Sequence, residues 1–283
     1  MKTLLSTTLI ISLLFTNFLL SQDFNGKATY KSQRKMNIEL DSMQMNDDMQ
    51  KQMMAMLKKQ FEREYNLDFT INESVYKQAE NLDKPANTNA GGIQIMVAGD
   101  GAGDVLYKNI KENRYTNQSD LFGKLFLIQD ELEQPDWTLE KETKNIGQYT
   151  CFKATFKRIV NSTGTMRMVV NPIDESEEQD VNKVEQTVTA WYTLQIPVKH
   201  GPGNYSGLPG LILEVNDGSE SILCSKIIIN PRDNVDVEEP NKGKKVNQEE
   251  FEAIREKKMK EMDEQFNSNR RDDGHSMEIR IGG

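Results

Sequence analysis

Groups able to do chemistry are scarce in this chain. Its two histidines are His200 and His275. His200 stands where a strand-like run ends and a Gly/Pro-rich loop begins, a place where an imidazole could bind a metal or pass a proton near neutral pH. A His-based metal site needs convergent partners. With His275 in a charged tail none is supplied, so a solvated loop histidine is the plainer reading. Met45, Met49 and Met53, with Met43, Met54 and Met56 beside them, offer thioethers that could converge on soft Cu(I). The same stripe, continued by Leu57 and Phe61, reads equally as a pliable apolar face. A hydroxyl nucleophile needs an oriented base, and no Gly-x-Ser-x-Gly elbow occurs. Asp100-Gly-Ala-Gly-Asp104 is neither a Walker loop nor a complete calcium loop. These patterns predict no enzyme and no cofactor.

The cysteines are read from the compartment. Met1-Lys2 precedes an apolar run from Thr3 to Leu20, and small or polar residues follow at Ser21 and Gln22. That is the layout of a secretory signal peptide over 1–21. An uncleaved membrane anchor is the competing reading, for which the run is barely long enough. The mature chain then begins near Gln22 and contains no transmembrane segment, and the protein is expected in the periplasm, at the outer membrane or secreted. Cys151 and Cys224 both lie in strand-like segments. In an oxidising compartment the pair reads first as a structural disulfide, with free buried thiols and redox or metal chemistry as the alternatives.

The elements that would position these groups are mostly strands. Asp23 to Met36, Tyr65 to Ile71 with Ser74 to Gln78 continuing it, Val105 to Tyr107, Arg114 to Thr116, Leu121 to Gln129 and Asp136 to Glu140 alternate or carry β-forming residues. In Tyr149 to Val160 the period of two sets Phe152, Ala154 and Phe156 on one face and Tyr149 and Cys151 on the other. Thr165 to Val170 is expected to pair back onto that strand. Val188 to Val198, Leu211 to Val215 and Ile222 to Ile229 complete the series, with Asn216-Asp-Gly-Ser219 as a hairpin turn. The acidic run at 174–186 has too little apolar surface to pack and reads as a solvated loop. One helix is predicted near 46–63, capped by Asn46, and a second near 247–266, where Asn247 and Glu250 make a capping box. The fold class is therefore mainly β (α+β): a single curved antiparallel sheet, half-barrel or sandwich, with two peripheral helices. The organisation is a leader at 1–21, a β-rich domain at 22–231 and a charged C-terminal extension at 232–283. A net charge of −9 argues against nucleic acid as a partner.

The densest feature is Trp191-Tyr-Thr-Leu-Gln-Ile-Pro-Val198, then Lys199-His-Gly-Pro-Gly-Asn-Tyr-Ser206, then Gly207-Leu-Pro-Gly-Leu-Ile212. With the Tyr-x-Cys-x-Lys-Ala run at 149–154, it resembles the GLPGLI family of secreted bacterial proteins. The resemblance implies a signal-peptide-bearing envelope protein of Bacteroidetes type with a β-rich fold, and it supplies no activity. Two readings of the loop stand side by side. It is a structural corner, or it is a binding loop using His200, Asn204, Tyr205, Gly207, Leu208, Pro209 and Gly210. The second makes the chain a binding or assembly module whose partner is an unidentified envelope protein or ligand. Copper handling by the Met-rich helix and a hydrolase near His200 are the alternatives.

Overall fold

The computed structural model describes residues 24–34, 62–79, 103–161, 168–169, 183–269 and 278–279. The leader, the Met-rich stripe, the Gly-rich run at 91–101 and the acidic residues 174–182 lie outside them. The strands are β1 (Gly26–Arg34), β2 (Glu62–Phe69), β3 (Glu73–Gln78), β4 (Val105–Asn109), β5 (Arg114–Leu121), β6 (Lys124–Glu131), β7 (Thr138–Ile146), β8 (Tyr149–Asn161), β9 (Met168–Val169), β10 (Lys183–Thr193), β11 (Leu211–Asn216), β12 (Glu220–Ile229), β13 (Lys244–Val246) and β14 (Glu278–Ile279); the one helix among them, α1, is Gln248–Asn269. A 12-stranded open sheet runs in the order β13-β6-β5-β4-β3-β2-β1-β12-β11-β10-β8-β7. The mainly β architecture is thus the one the alternating pattern predicts.

Period-two burial sets the inner face. In β1, Ala28, Tyr30 and Ser32 are buried while Thr29 and Lys31 are not. One apolar cluster joins Ala28 and Tyr30 of β1, Leu67 and Phe69 of β2, Tyr76 of β3, Leu106 of β4, Cys151 of β8, Leu211 and Leu213 of β11, and Ile222 and Cys224 of β12. Strands so far apart in the order share one core because Ile196 and Val198, from the connection between β10 and β11, fill its middle. β8 buries both faces, with Cys151 in that cluster and Ala154 in a second one with Val188, Ala190 and Ile212. The third cluster anchors α1, whose Phe251 meets Phe126 of β6 edge to face at 5.5 Å.

Several local expectations are corrected. Glu62 and Arg63 open β2 and do not end a helix. Ser74 to Gln78 doubles back as part of β3, because Thr70 closes a turn: its amide donates to the Glu73 carbonyl at 2.8 Å and its Oγ1 accepts from the Glu73 amide at 3.1 Å. Leu121 to Gln129 is a hairpin, with Phe122 (φ 53) and Gly123 (φ 80) both left-handed at its tip. The strand starting at 188 begins instead at Lys183, where pairing with β8 lets Lys157 hold Glu185 at 2.7 Å and Arg158 donate to Gln186 at 2.9 Å. Met168–Val169 pairs with Glu278–Ile279, since β7 and β10 already occupy both sides of β8. The sheet is also not wholly antiparallel. The segment after β12 crosses to the far edge, tied down by Lys77 to Asp236 (3.3 Å) and Arg114 to Glu239 (2.6 Å), and β13 then runs parallel to β6.

Candidate functional site

The distinctive sequence run becomes the connection 194–210 between β10 and β11. A bulge at Trp191/Tyr192 turns the end of β10, and the chain leaves the sheet after Thr193. It then enters the core and does not loop out over it. Ile196, Val198, His200 and Leu208 are all buried, and Leu208 packs with Tyr192, Ile212 and Val215. Backbone bonds fix the path: the Gly207 amide donates to the Lys199 carbonyl at 3.0 Å, Leu211 to Ile196 at 2.9 Å and Ile212 to His200 at 3.0 Å. The sheet grips the segment from outside as well. The Tyr30 hydroxyl donates to the Ile212 carbonyl at 2.8 Å, and the Trp137 indole donates to the Ser206 carbonyl at 2.9 Å. Two glycines permit this closeness. A Cβ at Gly201 would stand 2.7 Å from the Tyr205 carbonyl oxygen, and one at Gly210 would overlap the Thr193 carbonyl.

At the centre is Lys108 of β4, fully buried. Its ammonium donates to three carbonyls of the segment, those of Gly201 (3.0 Å), Gly203 (2.6 Å) and Tyr205 (3.3 Å). An ammonium has three donors and no acceptor, so its hydrogen-bonding capacity is fully used. Burial pushes the Lys108 pKa down to about 7, while the three carbonyls favour the charged form and oppose that shift. Next to it, His200 has no exposed surface and packs on the Phe69 ring at 6.3 Å. Burial, and then the Lys108 charge, push the imidazole down to about 3, against a smaller opposite effect of the Thr70 and Ile71 backbone. Neither ring nitrogen makes a hydrogen bond of standard geometry. Burial therefore disfavours the imidazolium, and the ring has no surface open to a solute.

The predicted loop residues divide accordingly. His200, Leu208 and Gly210 are interior, Tyr205 and Gly207 are half-buried, and Asn204 and Pro209 are exposed beside Lys199. Tyr205 is poised between, its hydroxyl 3.4 Å from the Asp217 carboxylate. That carboxylate also accepts from Arg158 at 2.8 Å and from the Ser219 and Glu220 amides at 2.9 and 2.7 Å. Lys108 escaped sequence reasoning, although parity could have found it: Leu106 and Lys108 share a face of β4, so a core-facing Leu implies a core-facing Lys.

The expected disulfide is absent. Cys151 and Cys224 are free, buried thiols. β10 and β11 stand between their strands in the sheet order, while both side chains line the same apolar cluster and the Cys151 thiol bears on that of Cys224. Burial pushes Cys151 up to about 11 and Cys224 up to about 12, so both stay protonated. Among the described residues, no three His, Cys, Asp or Glu side chains converge as metal ligands. Met45, Met49 and Met53 lie outside those residues. No described helix is long and apolar enough to cross a membrane.

Comparison with known proteins adds the following. The model of a family described as a protein of unknown function (Porph_ging) matches residues 137–214, from the start of β7 into β11, consistent with the GLPGLI resemblance. No curated protein matches the chain. Among solved structures, PNGF-II in its C2 crystal form aligns with a TM-score of 0.46 at 14% identity, covering 82% of this chain and 32% of that one. Its P21 form gives 0.44 at 14% identity, with 82% and 33% covered. LprF from Mycobacterium bovis gives 0.25 at 11% identity, with 78% and 90% covered. The chain thus spans about a third of the length of the PNGF-II chains.

Proposed function

We propose that this chain is a non-catalytic, exported binding or assembly module of the bacterial envelope, which meets another envelope component through the exposed rim of the 194–210 segment. The observation that carries the reading is the Lys108 clamp. Three backbone carbonyls drawn to one buried ammonium hold Lys199, Asn204 and Pro209 in a fixed arrangement on a rigid sheet. A surface ordered before contact loses less conformational entropy on binding, which is how braced loops gain affinity. A hydrolase centred on His200 is disfavoured, because the imidazole has no exposed surface and packs on the Phe69 ring.

A photo-crosslinking residue placed at Asn204, with the same residue at Phe122 on the remote β5–β6 tip as control, tests the proposal in intact cells. The expected result is a discrete adduct from position 204 that position 122 does not give. No adduct at 204, or the same pattern from both positions, would count against it.

A further inference from the structure

We infer that the 199–210 segment is an acid-released plug: it stays seated in the core while His200 is neutral, and a proton taken up at His200 drives it outward. The inference rests on reading this segment as the contacting surface, and it names how that surface would be regulated. His200 and Lys108 share one enclosed chamber, walled by Phe69 of β2 and the Thr70–Ile71 turn, with Ser74 of β3 and Tyr115 of β5 as the cross-strand neighbours of Lys108. The carboxylates on β2 and β3, Asp68 and Glu73, lie on the opposite face. Glu73 there accepts from the Tyr107 hydroxyl at 2.5 Å, and Asp68 is influenced by Lys27, Lys77 and Asp236. On the segment's other side, Asp217 reaches it only through the Tyr205 hydroxyl. Among the described residues no carboxylate is placed against His200, and beside the Lys108 ammonium a second cation would be buried without a counter-charge from them.

Moving the segment relieves this repulsion, because Lys108 belongs to β4 and His200 to the plug. The ties that must break are the Lys108 clamp, the Ile212 amide to the His200 carbonyl (3.0 Å), the Trp137 indole to the Ser206 carbonyl (2.9 Å) and the Tyr205 hydroxyl to Asp217 (3.4 Å), together with the packing of Leu208 on Tyr192, Ile212 and Val215. The flanking strands β10 and β11 keep their ladders. The direction follows from linkage. A seated pKa of about 3, against an ordinary value of 6.5, means the seated form loses ground as pH falls from 6.5 towards 3. Between pH 6.5 and 4.5 that difference multiplies the released fraction by about fiftyfold. Lys108 acts in the same direction, but its window, from 10.5 down to about 7, is nearly spent by then and adds less than about twofold.

The test is hydrogen exchange of the full chain at pH 6.5 and 4.5, corrected for the intrinsic pH dependence of exchange. Peptides covering 199–208 are expected to lose protection by at least about tenfold, while β1 peptides change little. The variant His200→Leu is expected to abolish the difference. A change below about threefold in the wild-type protein, or an equal acid response in His200→Leu, would overturn the inference. Should His200→Leu fail to fold, imidazole NMR of the wild-type protein decides: a His200 midpoint below about 6 that coincides with the loss of protection at 199–208 supports the plug, and a midpoint near 6.5, or protection that persists through the titration, refutes it. None of these readouts involves a partner, so their failure leaves the crosslinking result at position 204 standing, and the reverse holds.

Discussion

Substituting Gly210 with alanine is the sharpest perturbation the structure offers. A Cβ there would overlap the Thr193 carbonyl oxygen and stand 2.6 Å from its carbon, against 3.4 Å for an ordinary contact. Both sides of the clash are main chain. Thr193 ends β10 and Leu211 starts β11, and the two are registered partners, so neither can retreat without opening the ladder. Overpacking a rigid core costs about 1–3 kcal/mol, and backbone against backbone belongs at or above the top of that range. Gly210→Ala is therefore expected to lose at least about 3 kcal/mol, a large share of the roughly 5–15 kcal/mol available to a folded domain. The control is Gly203→Ala. There φ is +52 and nothing lies within 4 Å of the added methyl, so only left-handed strain of about 1–2 kcal/mol applies. Urea unfolding of both variants measures the contrast through the midpoint at unchanged slope. A Gly210→Ala protein within about 1 kcal/mol of wild type, or one more stable than Gly203→Ala, would refute the picture of a segment seated against β10.

Lys108→Met leaves three segment carbonyls without their donor while removing a buried charge; a net loss of about 2 kcal/mol is expected in urea unfolding, and a more stable variant would contradict the clamp. Thiol titration with an aromatic disulfide at pH 8 should find Cys151 and Cys224 almost inert in the native protein and both reactive in guanidinium, whereas no thiol after unfolding would mean they are bonded. Asn247→Ala removes the acceptor of the Glu250 amide (2.8 Å) and should cost about 1 kcal/mol in thermal or urea unfolding, while Asn247→Asp stays near wild type.

Much of the local architecture was legible because it depends on neighbours in sequence. The two faces of β8 follow from the alternation of Phe152, Ala154 and Phe156 with Tyr149 and Cys151, and the structure sends them to separate clusters. The capping box that starts α1 and the turn at 216–219 are likewise written in a few adjacent residues. Failures came where a distant partner decides. Phe122 carries no turn signal, yet pairing of β5 with β6 forces it left-handed. Lys183 to Gln186 looked too polar for a strand until β8 supplied Lys157 and Arg158. The cysteine pair suggested a bond because sequence does not reveal that both thiols are buried, unbonded, in one apolar cluster. The candidate segment was found by its glycines and prolines, which do not tell how far inward His200 and Leu208 go. Backbone freedom marks a close approach without saying whether solvent or core lies on the other side, and Lys108, which settles the matter for this loop, sits far away in the chain.

The order of the strands also says how the molecule must assemble. β6 back to β1 form one run of consecutive neighbours, β7, β8, β10, β11 and β12 form another, and the antiparallel ladder from Gly26↔Ile229 to Arg34↔Glu220 is the seam that zips the two together. A nascent chain makes β1 first, yet one side of that strand stays bare until β12 has been synthesised. Completion is therefore a single late event gated by the carboxy-terminal third, and any product cut short before residue 220 carries two naked edges in place of a closed seam, the kind of template on which polypeptides aggregate.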